Sequence, residues 1–473
     1  MVYNLTSQML QMNKQAEHIK RASKVSNKAL TFGVELEFMI AGLDKEFKDP
    51  TPKDPRNVRG KLGSSNPGSG TDENQEIYEE IAKILLDNGV DAEARDFFNN
   101  MWTLTSQKSW AVDTDTSIVA PNIRGEDDPN SNYHFHRVEI CSPILLFTEM
   151  SLAAVAEVCG ILSSNFRIHL NASCGLHVHI GNGMDGFAVE TLRNLMATVF
   201  TFEPTIDKIH PANRRNYPRI CPMAPGLRFC SRLRQMQPPE VDSLSEYCDR
   251  GLDALFGAQS IRDLFELVCY QDRNAAITNR MAYNIINLLE NEPGKPRIVI
   301  GGGEGLIGVK NSKKTIEFRQ HAGSISPEQV TNWISFCAFL VQFSQSVDET
   351  LLRPFLQSHA KSTDLSMGKI CEALGMWEVS RYFGNLPQFG EDWDEWEEVV
   401  EAATAPSAEN APRKRGALGK LLSARVTRVL PSSKVSCLTS VSRISTSKIP
   451  TSYTERGVEN FPSLLTEDRR TMY

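Results

Sequence analysis

Apolar and polar residues alternate in four separate stretches of the chain. These stretches read TFGVELEFMIAG at residues 31–42, FHRVEI at 135–140, GLHVHIG at 175–181 and KTIEFRQH at 314–321. Alternation with a period of two is typical of β-strands that bury one face. We therefore predict four strands here, and a fifth over residues 110–118 (WAVDTDTSI), where the alternation is shorter.

Helical spacing is found between these strands. Apolar residues recur every three or four positions in residues 77–85, before the stop at Gly89, and again near residues 150–162. Ser326 has the sequence context of an N-cap, followed by a first-turn proline and by Gln329 of a capping box. The middle of the chain, up to about residue 290, is also mostly helical by its spacing.

Composition divides the chain into four parts. Residues 1–29 are polar with helical spacing and are predicted to form a helical arm, and residues 30–390 to form the main domain. Within that domain, residues 49–74 are rich in Pro, Gly, Ser and charge, which predicts a flexible insertion. Residues 391–402 are strongly acidic, and residues 403–473 are basic, rich in Ser and Thr, and predicted to be disordered.

Charge and cysteine content exclude several classes of protein. Of the 473 residues, those from Ala411 onward include 12 Lys and Arg against 4 Asp and Glu, which leaves 39 against 54 for the acidic body. We expect no nucleic-acid partner for such a body. Ten cysteines without a C-x-x-C pair predict free thiols. Because no apolar run reaches the ~18 residues of a membrane span and the N-terminus lacks a signal-peptide pattern, we expect a cytoplasmic protein without membrane contact.

Ionisable side chains occur in pairs, two residues apart, on the four clearest strands. Because successive side chains of a strand point to opposite faces, each pair projects from one side and its apolar neighbours from the other. One face of the predicted sheet is therefore apolar and the other reactive. The pairs are Glu35 with Glu37, Arg137 with Glu139, His177 with His179, and Glu317 with Arg319.

Carboxylates that converge on one face repel each other unless a cation lies among them. Magnesium or manganese prefers oxygen ligands, which suits several glutamates with one histidine. Each pair alone also has an ordinary explanation. An E-x-E is common on exposed strands, an E-x-R is often a weak surface ion pair, and an H-x-H also suits zinc. Only the joint occurrence on four strands favours a metal site.

The same motifs carry a resemblance to a known family. FGVELEF, VEICSPI, SCGLHVHIG and TIEFRQHAG, in this order, resemble the amidoligase family of the carboxylate-amine ligase superfamily, whose wider relatives are glutamine synthetase and glutamate-cysteine ligase. The resemblance covers about residues 31–347. It implies an α+β fold with a curved antiparallel sheet like that of glutamine synthetase, helices on its outer face, and ATP and Mg²⁺ (or Mn²⁺) as cofactors.

The resemblance also implies roles for individual residues. It implies that His179 approaches the nucleotide phosphates and that Arg319 stabilises the transferred phosphoryl group. Asp115 is a weaker match in the family's W-x-x-x-x-D-x-S stretch, because Thr116 stands where glycine is frequent; it is the candidate general base. The implied metal ligands are Glu35, Glu37, Glu139, His177 and Glu317.

The implied activity is ATP-dependent formation of an amide through an acyl phosphate, from a small-molecule or peptide carboxylate and an amine donor. Two other functions stay open: a guanidine-type kinase on the same kind of sheet, and a non-catalytic metal-binding scaffold that uses His177 and His179. The identity of the substrates and the oligomeric state are not predicted.

Further residues are secondary candidates for this pocket. One set of four consecutive residues is a candidate clamp for a substrate carboxylate, although a plain surface loop explains it equally well. A second set, at helical spacing, is expected to line the acid-substrate side. His321 shares the Glu317 face by parity, although a structural hydrogen bond also explains it. Cys141 and Cys174 have no base at readable spacing, so we exclude a thiol nucleophile. The two sets are Arg214, Arg215, Asn216 and Tyr217, and Arg280, Tyr283, Asn284 and Asn287.

Overall fold

The computed structural model describes residues 30–43, 47–56, 59–60, 75–95, 108–121, 133–215, 226–230, 232–233, 244–270, 280–289, 313–360 and 365–386. The predicted arm at 1–29, acidic segment at 391–402 and basic tail at 403–473 lie outside these residues, as does most of the predicted insertion at 49–74.

The described strands form a single sheet of ten members. They are β1 (Thr31–Leu43), β2 (Arg59–Gly60), β3 (Ala92–Ala94), β4 (Trp110–Asp113), β5 (Tyr133–Cys141), β6 (Leu145–Leu146), β7 (Ile168–His169), β8 (Gly175–Gly181), β9 (Tyr283–Asn284) and β10 (Thr315–Ala322). The order is β3-β4-β5-β1-β8-β10-β9, and β2, β6 and β7 also pair with β1. The sheet is open and mostly antiparallel, with parallel pairs at β1–β2 and β3–β4.

Nine α-helices occur among the described residues. They are α1 (Gln75–Asp87), α2 (Glu149–Asn165), α3 (Val189–Asp207), α4 (Leu244–Gly257), α5 (Ile261–Val268), α6 (Pro327–Ser346), α7 (Glu349–His359), α8 (Met367–Ala373) and α9 (Trp377–Asn385). Helix α6 packs against β8 and β1, and α2 and α3 pack against α6. Within this set, no helix combines the length and the apolarity that crossing a membrane requires.

The apolar face of the sheet packs into one large core. Leu36, Val138, Val178 and Phe318 are each at most 1% exposed, and all belong to a single hydrophobic cluster with the buried residues of α6. The predicted alternation of these strands is therefore confirmed. The α+β class and the antiparallel sheet are confirmed with it, whereas a glutamine synthetase-like fold stays a prediction.

Two predicted elements differ from the structure. Strand β4 ends at Asp113 instead of Ile118, because the Asp115 carboxylate accepts a hydrogen bond from the Ser117 amide (2.5 Å) and turns the chain. The helical spacing proposed around Tyr283 is wrong, since this residue lies in β9 and pairs with Phe318 of β10.

A β-bulge in β10 corrects the prediction for His321. Phe318 pairs with Val178 but His321 pairs with Leu176, so β10 has one extra residue in this interval. The extra residue moves His321 from the Glu317 face to the helix side, where its ring lies 5.1 Å from that of Trp333. Its Nδ1 donates to the carbonyl of Ala322 (2.7 Å). His321 is therefore structural.

The start of α6 agrees with its sequence signals. The Ser326 hydroxyl accepts a hydrogen bond from the Gln329 amide (3.5 Å), and Pro327 opens the first turn, as predicted. In a capping box the Gln329 side chain would accept a hydrogen bond from the Ser326 amide. Here that amide donates to the Ser324 hydroxyl oxygen instead (3.2 Å). The Gln329 side chain instead accepts from the Ser324 hydroxyl (2.6 Å).

The loop after β1 is anchored by Arg167, a residue 8% exposed. Its guanidinium donates to both carboxylate oxygens of Asp49 (2.8 and 2.9 Å), and to the hydroxyl groups of Thr51 (2.7 Å) and Tyr133 (2.8 Å). The hydrogen bond from Arg167 lowers the pKa of Asp49 to about 2. The first residues of the predicted insertion are thus tied to the sheet.

Replacing Arg167 by methionine should lower the free energy of unfolding at pH 7 by about 2 kcal/mol, since it leaves Asp49 without its cation. The folded-state pKa of Asp49 is depressed, so its stabilisation is present above the usual pKa and is lost as the pH falls towards 2. The deficit of R167M should therefore shrink by about 1 kcal/mol between pH 5 and 2.5 in urea titrations. The exposed Lys83→Met change serves as control, and a pH-independent deficit would contradict this account.

Candidate metal centre

The strand pairing aligns the predicted polar residues in one row across the sheet. Glu35 of β1 is directly opposite His177 of β8, and Glu37 of β1 is opposite Glu139 of β5. On the far side of β8, His179 is opposite Glu317 of β10. Because opposed residues of an antiparallel pair share a face, six side chains from four strands meet there.

These side chains form three groups whose ligand atoms lie within 4.8 Å of one another. Each group has at least two carboxylates and at most one imidazole, a donor set that suits a hard cation such as Mg²⁺ or Mn²⁺ better than zinc. Glu35 and Glu139 are each shared by two groups. The groups are Glu35–Glu139–His177, Glu35–His179–Glu317 and Glu37–Asp115–Glu139.

The acidic end of the row carries the greatest electrostatic cost. Burial raises the pKa of Glu37. Burial, together with the nearby carboxylates of Glu35 and Glu37, raises the pKa of Glu139 well above its ordinary value. Like charges directly opposite each other on neighbouring strands are destabilising. This end of the site therefore favours a bound cation or a proton.

The opposite end of the row contains its own positive partners. Burial alone would raise the pKa of Glu35, but His179, His177 and Lys313 together hold it well below the ordinary value. Nε2 of His179 lies 2.9 Å from Oε1 of Glu35, and Nδ1 of His177 lies 3.2 Å from Oε2. Glu35 is thus a carboxylate held in place by two imidazoles.

Arg319 is held beside this row by Glu317. Its Nη1 donates to Oε1 of Glu317 (2.5 Å), while the Asn284 amide group donates to the other carboxylate oxygen (3.0 Å). Although burial opposes ionisation, His179 and Arg319 lower the pKa of Glu317. Nε of Arg319 is buried and has no partner within the described ranges. The guanidinium therefore keeps a free donor for an anionic ligand.

Asp115 joins the site through the turn after β4. The hydrogen bond from the Ser117 amide orients its carboxylate, which lies in the group with Glu37 and Glu139. The predicted base is thus also a candidate metal ligand. Thr116, the departure from the glycine of the family pattern, is exposed in this turn.

Other sequence candidates lie outside the row. Arg137 is exposed and belongs to none of the three groups. The serine of the V-E-I-x-S-P motif is structural, because Oγ of Ser142 accepts from the Val34 amide (2.9 Å) and its own amide donates to the Val34 carbonyl (2.8 Å). Arg214 is buried, donates to the Cys174 carbonyl and acts electrostatically on Glu37. Asn216 and Tyr217 lie outside the described residues.

The two cysteines beside the motifs are unsuited to nucleophilic chemistry. Burial, followed by the charges of Glu139 and Glu35, raises the pKa of Cys141 well above its ordinary value. Burial raises the pKa of Cys174 to about 12. Since the thiolate is the nucleophile, both residues are inert thiols at neutral pH.

One direct observation, at the Glu37 carboxylate, indicates that these residues fit a divalent cation. Oε1 of Glu37 is buried and accepts no hydrogen bond from the described residues; Nδ1 of His177 lies 3.5 Å away, and burying a charged oxygen without a hydrogen bond is costly. The other oxygen of Glu37 accepts from the Gly175 amide (2.6 Å), which fixes the carboxylate. Glu37 also forms a metal-ligand group with Asp115 and Glu139, so a cation held by that group would give this carboxylate a partner.

Gly175 gives a prediction about this geometry. A Cβ atom there would lie 2.5 Å from Nε2 of His177 and 3.1 Å from Oε2 of Glu37, so alanine must displace both ligands. We expect G175A to weaken Mg²⁺ binding, measured by calorimetry, by about 10- to 100-fold. Gly160→Ala in α2 is the control, because a Cβ there meets nothing within 4 Å. Equal affinities of the two variants would show that His177 and Glu37 are not ligands.

Two residues at the site were not singled out by the sequence, and a third was predicted on the wrong kind of element. The Lys313 ammonium lies 3.2 Å from Oε1 of Glu35, and the Thr315 hydroxyl is 3.1 Å from Nδ1 of His179. Both lie an even number of residues before Glu317, so the alternation of β10 was the sequence signal that could have placed them on the same face. Asn284, proposed on a helix, reaches Glu317 from the short edge strand β9 instead.

The fold and the site together define an α+β protein whose mostly antiparallel sheet carries a cluster of carboxylates and histidines that could hold a metal, beside a half-buried arginine. Residues 28–253, just under half of the chain, match the family model described as "putative amidoligase enzyme", so the resemblance is confirmed. The match supports ligase-type activity. It includes the site residues up to His179, whereas Glu317 and Arg319 follow it. No curated protein matches the chain.

Proposed function

We propose that the protein is an ATP- and magnesium-dependent carboxylate-amine ligase that makes an amide through an acyl phosphate. The observation that carries the proposal is the row of three metal-ligand groups on one sheet face, next to Arg319. A carboxylate is a poor electrophile, and phosphorylation by ATP is a general way to activate it. The site offers the two things that phosphoryl transfer needs, cation ligands and a guanidinium.

Divalent cations held by these groups would neutralise the phosphate oxygens of ATP and help to orient the γ-phosphoryl group. Glu35 and Glu139 each belong to two groups, so they would keep neighbouring cations close together. His177 and His179 fix the two oxygens of Glu35, and Gly175 fixes one oxygen of Glu37. The ligands are thereby oriented before the nucleotide binds.

Arg319 is the residue that would stabilise the transferred phosphoryl group. Glu317 holds one side of its guanidinium, and the buried Nε–H is free to donate to an oxygen of the transferred group. A guanidinium is planar and always charged, so it matches the phosphoryl oxygens with more than one donor.

The reaction balances in two steps. An oxygen of the substrate carboxylate attacks the γ-phosphorus of ATP, the bond to the bridging oxygen breaks, and ADP leaves. The amine nitrogen then attacks the acyl carbon, phosphate leaves, and a base takes the proton that the amine loses. Asp115 is the candidate base, and a carboxylate bound to a cation is a weaker base, so the two roles proposed for it compete.

The competing functions make different demands on the site. A zinc scaffold built on His177 and His179 would use nitrogen or sulfur ligands, whereas each of the three groups offers mostly carboxylate oxygens. A guanidine kinase would use the same cation site but stop after phosphoryl transfer to nitrogen, which yields ADP without an amide or free phosphate.

The test uses acids labelled with ¹⁸O in the carboxylate. The protein is incubated with MgATP and a panel of the twenty labelled amino acids, with ammonium chloride or methylamine as amine. A ligase yields ADP only when acid and amine are both present, and one ¹⁸O atom appears in each released phosphate. ADP formation without ¹⁸O transfer, or with a guanidine acceptor alone, would contradict the acyl-phosphate proposal.

A further inference from the structure

Lys313 contacts the metal centre from its solvent side. Its side chain is 56% exposed, yet the ammonium lies 3.2 Å from Oε1 of Glu35, a residue whose side chain is only 13% exposed. Although burial opposes its charge, attraction to the Glu35 carboxylate raises the pKa of Lys313. A permanent cation on a long, flexible stem therefore reaches into the carboxylate row.

The contacted oxygen is also a candidate metal ligand. Oε1 of Glu35 accepts from Nε2 of His179 (2.9 Å), and these two residues form a metal-ligand group with Glu317. An ammonium ion and a divalent cation at this oxygen repel each other and compete for the same lone pairs. A metal in this group would therefore displace Lys313 from Glu35.

The displaced ammonium would stay close to the site. Only Lys314 separates Lys313 from the first residue of β10. Lys314 has a φ of 47°, the only positive value at a non-glycine residue among those described. This conformation is costly for a residue with a side chain and persists where the surroundings enforce it. The side chain of Lys313 is exposed enough to turn, and its backbone lies two residues before Thr315, the first residue of β10.

We propose that Lys313 is an exchangeable counter-ion: it neutralises Glu35 in the metal-free protein and, when a divalent cation takes its place, binds the phosphate that arrives with that cation. A lysine is suited to this exchange, because its ammonium is a point charge that binds a carboxylate or a phosphate equally well. The second half rests on the proposed function, whereas the first half needs only the metal.

Calorimetry with MgCl₂ alone tests the first half, using EDTA-treated full-length protein at low ionic strength. Lys313→Met should bind Mg²⁺ roughly two- to five-fold more tightly than wild type, because no internal cation has to be displaced. Lys314→Met is the matched control, because it removes the same charge at the adjacent residue. The Lys314 side chain runs along Gly186, where its Cδ would lie 3.9 Å from a Cβ atom added to that glycine. The control should change the affinity less than about two-fold.

A nucleotide titration at saturating Mg²⁺ tests the second half. With the non-hydrolysable analogue AMP-PNP, Lys313→Met should bind roughly ten-fold more weakly than wild type, and Lys313→Arg, which keeps the charge, should bind nearly as well. Lys313→Met is therefore expected to bind Mg²⁺ more tightly than wild type but AMP-PNP more weakly. A purely structural role for Lys313 does not produce such a reversal.

Several results would overturn the proposal. Unchanged or weaker Mg²⁺ binding by Lys313→Met, or no Mg²⁺ binding by wild type, contradicts the exchange on Glu35. Unchanged AMP-PNP binding by Lys313→Met contradicts the phosphate contact. If wild type binds Mg²⁺ but not AMP-PNP, the proposed function and the phosphate contact fail together, and the magnesium titration alone decides the exchange.

Discussion

Replacing Glu139 by glutamine is expected to stabilise the metal-free protein and to abolish its tight binding of divalent cations. Glu139 is directly opposite Glu37 and belongs to two of the three metal-ligand groups. Without a cation, these buried carboxylates repel each other, so neutralising one should raise the free energy of unfolding by about 1 to 2 kcal/mol. The glutamine offers a weaker ligand, and Mg²⁺ affinity should fall at least about 100-fold.

The pH dependence of this gain follows from the raised pKa of Glu139. A carboxyl whose folded-state pKa is raised favours folding at low pH, and this contribution is lost as the pH rises above the usual value near 4.5. The advantage of E139Q should therefore be small at pH 4 and grow towards pH 7. Urea unfolding in EDTA at both pH values measures it, and saturating Mg²⁺ should cancel or reverse it.

Asp113→Asn is the matched control for Glu139→Gln. Asp113 is the other direct neighbour of Glu139, but it has its own cation in Arg95 (3.6 Å) and lies outside the three groups. Because Asp113 also repels Glu139 but is paired with Arg95, its neutralisation should stabilise the metal-free protein less than E139Q does and should leave Mg²⁺ binding within a few-fold. If E139Q binds Mg²⁺ like wild type, Glu139 is not a ligand. If E139Q is destabilised at pH 7 without metal, the repulsion account is wrong.

Arg319→Lys should lower kcat about 1000-fold while Mg²⁺ binding changes little. Stabilisation of a transferring phosphoryl group by a guanidinium contributes roughly 10³ to 10⁵ in rate. The lysine keeps the positive charge near Glu317 but loses the planar arrangement and the free Nε–H donor. The loss should therefore fall on kcat more than on the KM for ATP.

This prediction is measured as ADP release with an acid and amine pair that supports turnover. Arg193→Lys is a suitable control, because Arg193 is also largely buried but donates to the carbonyls of Phe256 and Ala258 at the end of α4. It should lower stability and leave kcat nearly unchanged. A kcat of R319K within ten-fold of wild type would remove Arg319 from the phosphoryl-transfer step.

The row of polar residues could be predicted from the sequence because strand parity is local information. Val34, Leu36 and Phe38 must be buried, which fixes the face of Glu35 and Glu37 without any knowledge of neighbouring strands. The cross-strand partners then follow only if the register is right. The pairing of Glu37 with Glu139 and of Glu35 with His177 was not predictable from parity, since register is set by the turns and the packed core.

What the sequence did not reveal depends on tertiary contacts. The bulge in β10 carries no local signal in KTIEFRQH, and it reverses the face of His321. Strand β9 is two residues long and shows no alternation, so Asn284 could not be placed beside Glu317. Lys313 contacts a residue 278 positions away, which only the completed sheet brings near it.

The most direct test of the central claim is calorimetric titration of ATP into the protein with and without Mg²⁺. Wild type is compared with the double variant Glu35→Ala, Glu37→Ala, and with a control double variant on the exposed side of α1, Glu76→Ala, Glu79→Ala. We predict that wild type and the control bind ATP only with Mg²⁺ and that the Glu35, Glu37 variant does not bind. Folded wild type that binds no ATP, or equal binding by the Glu35, Glu37 variant, would contradict a nucleotide and metal site on this sheet face.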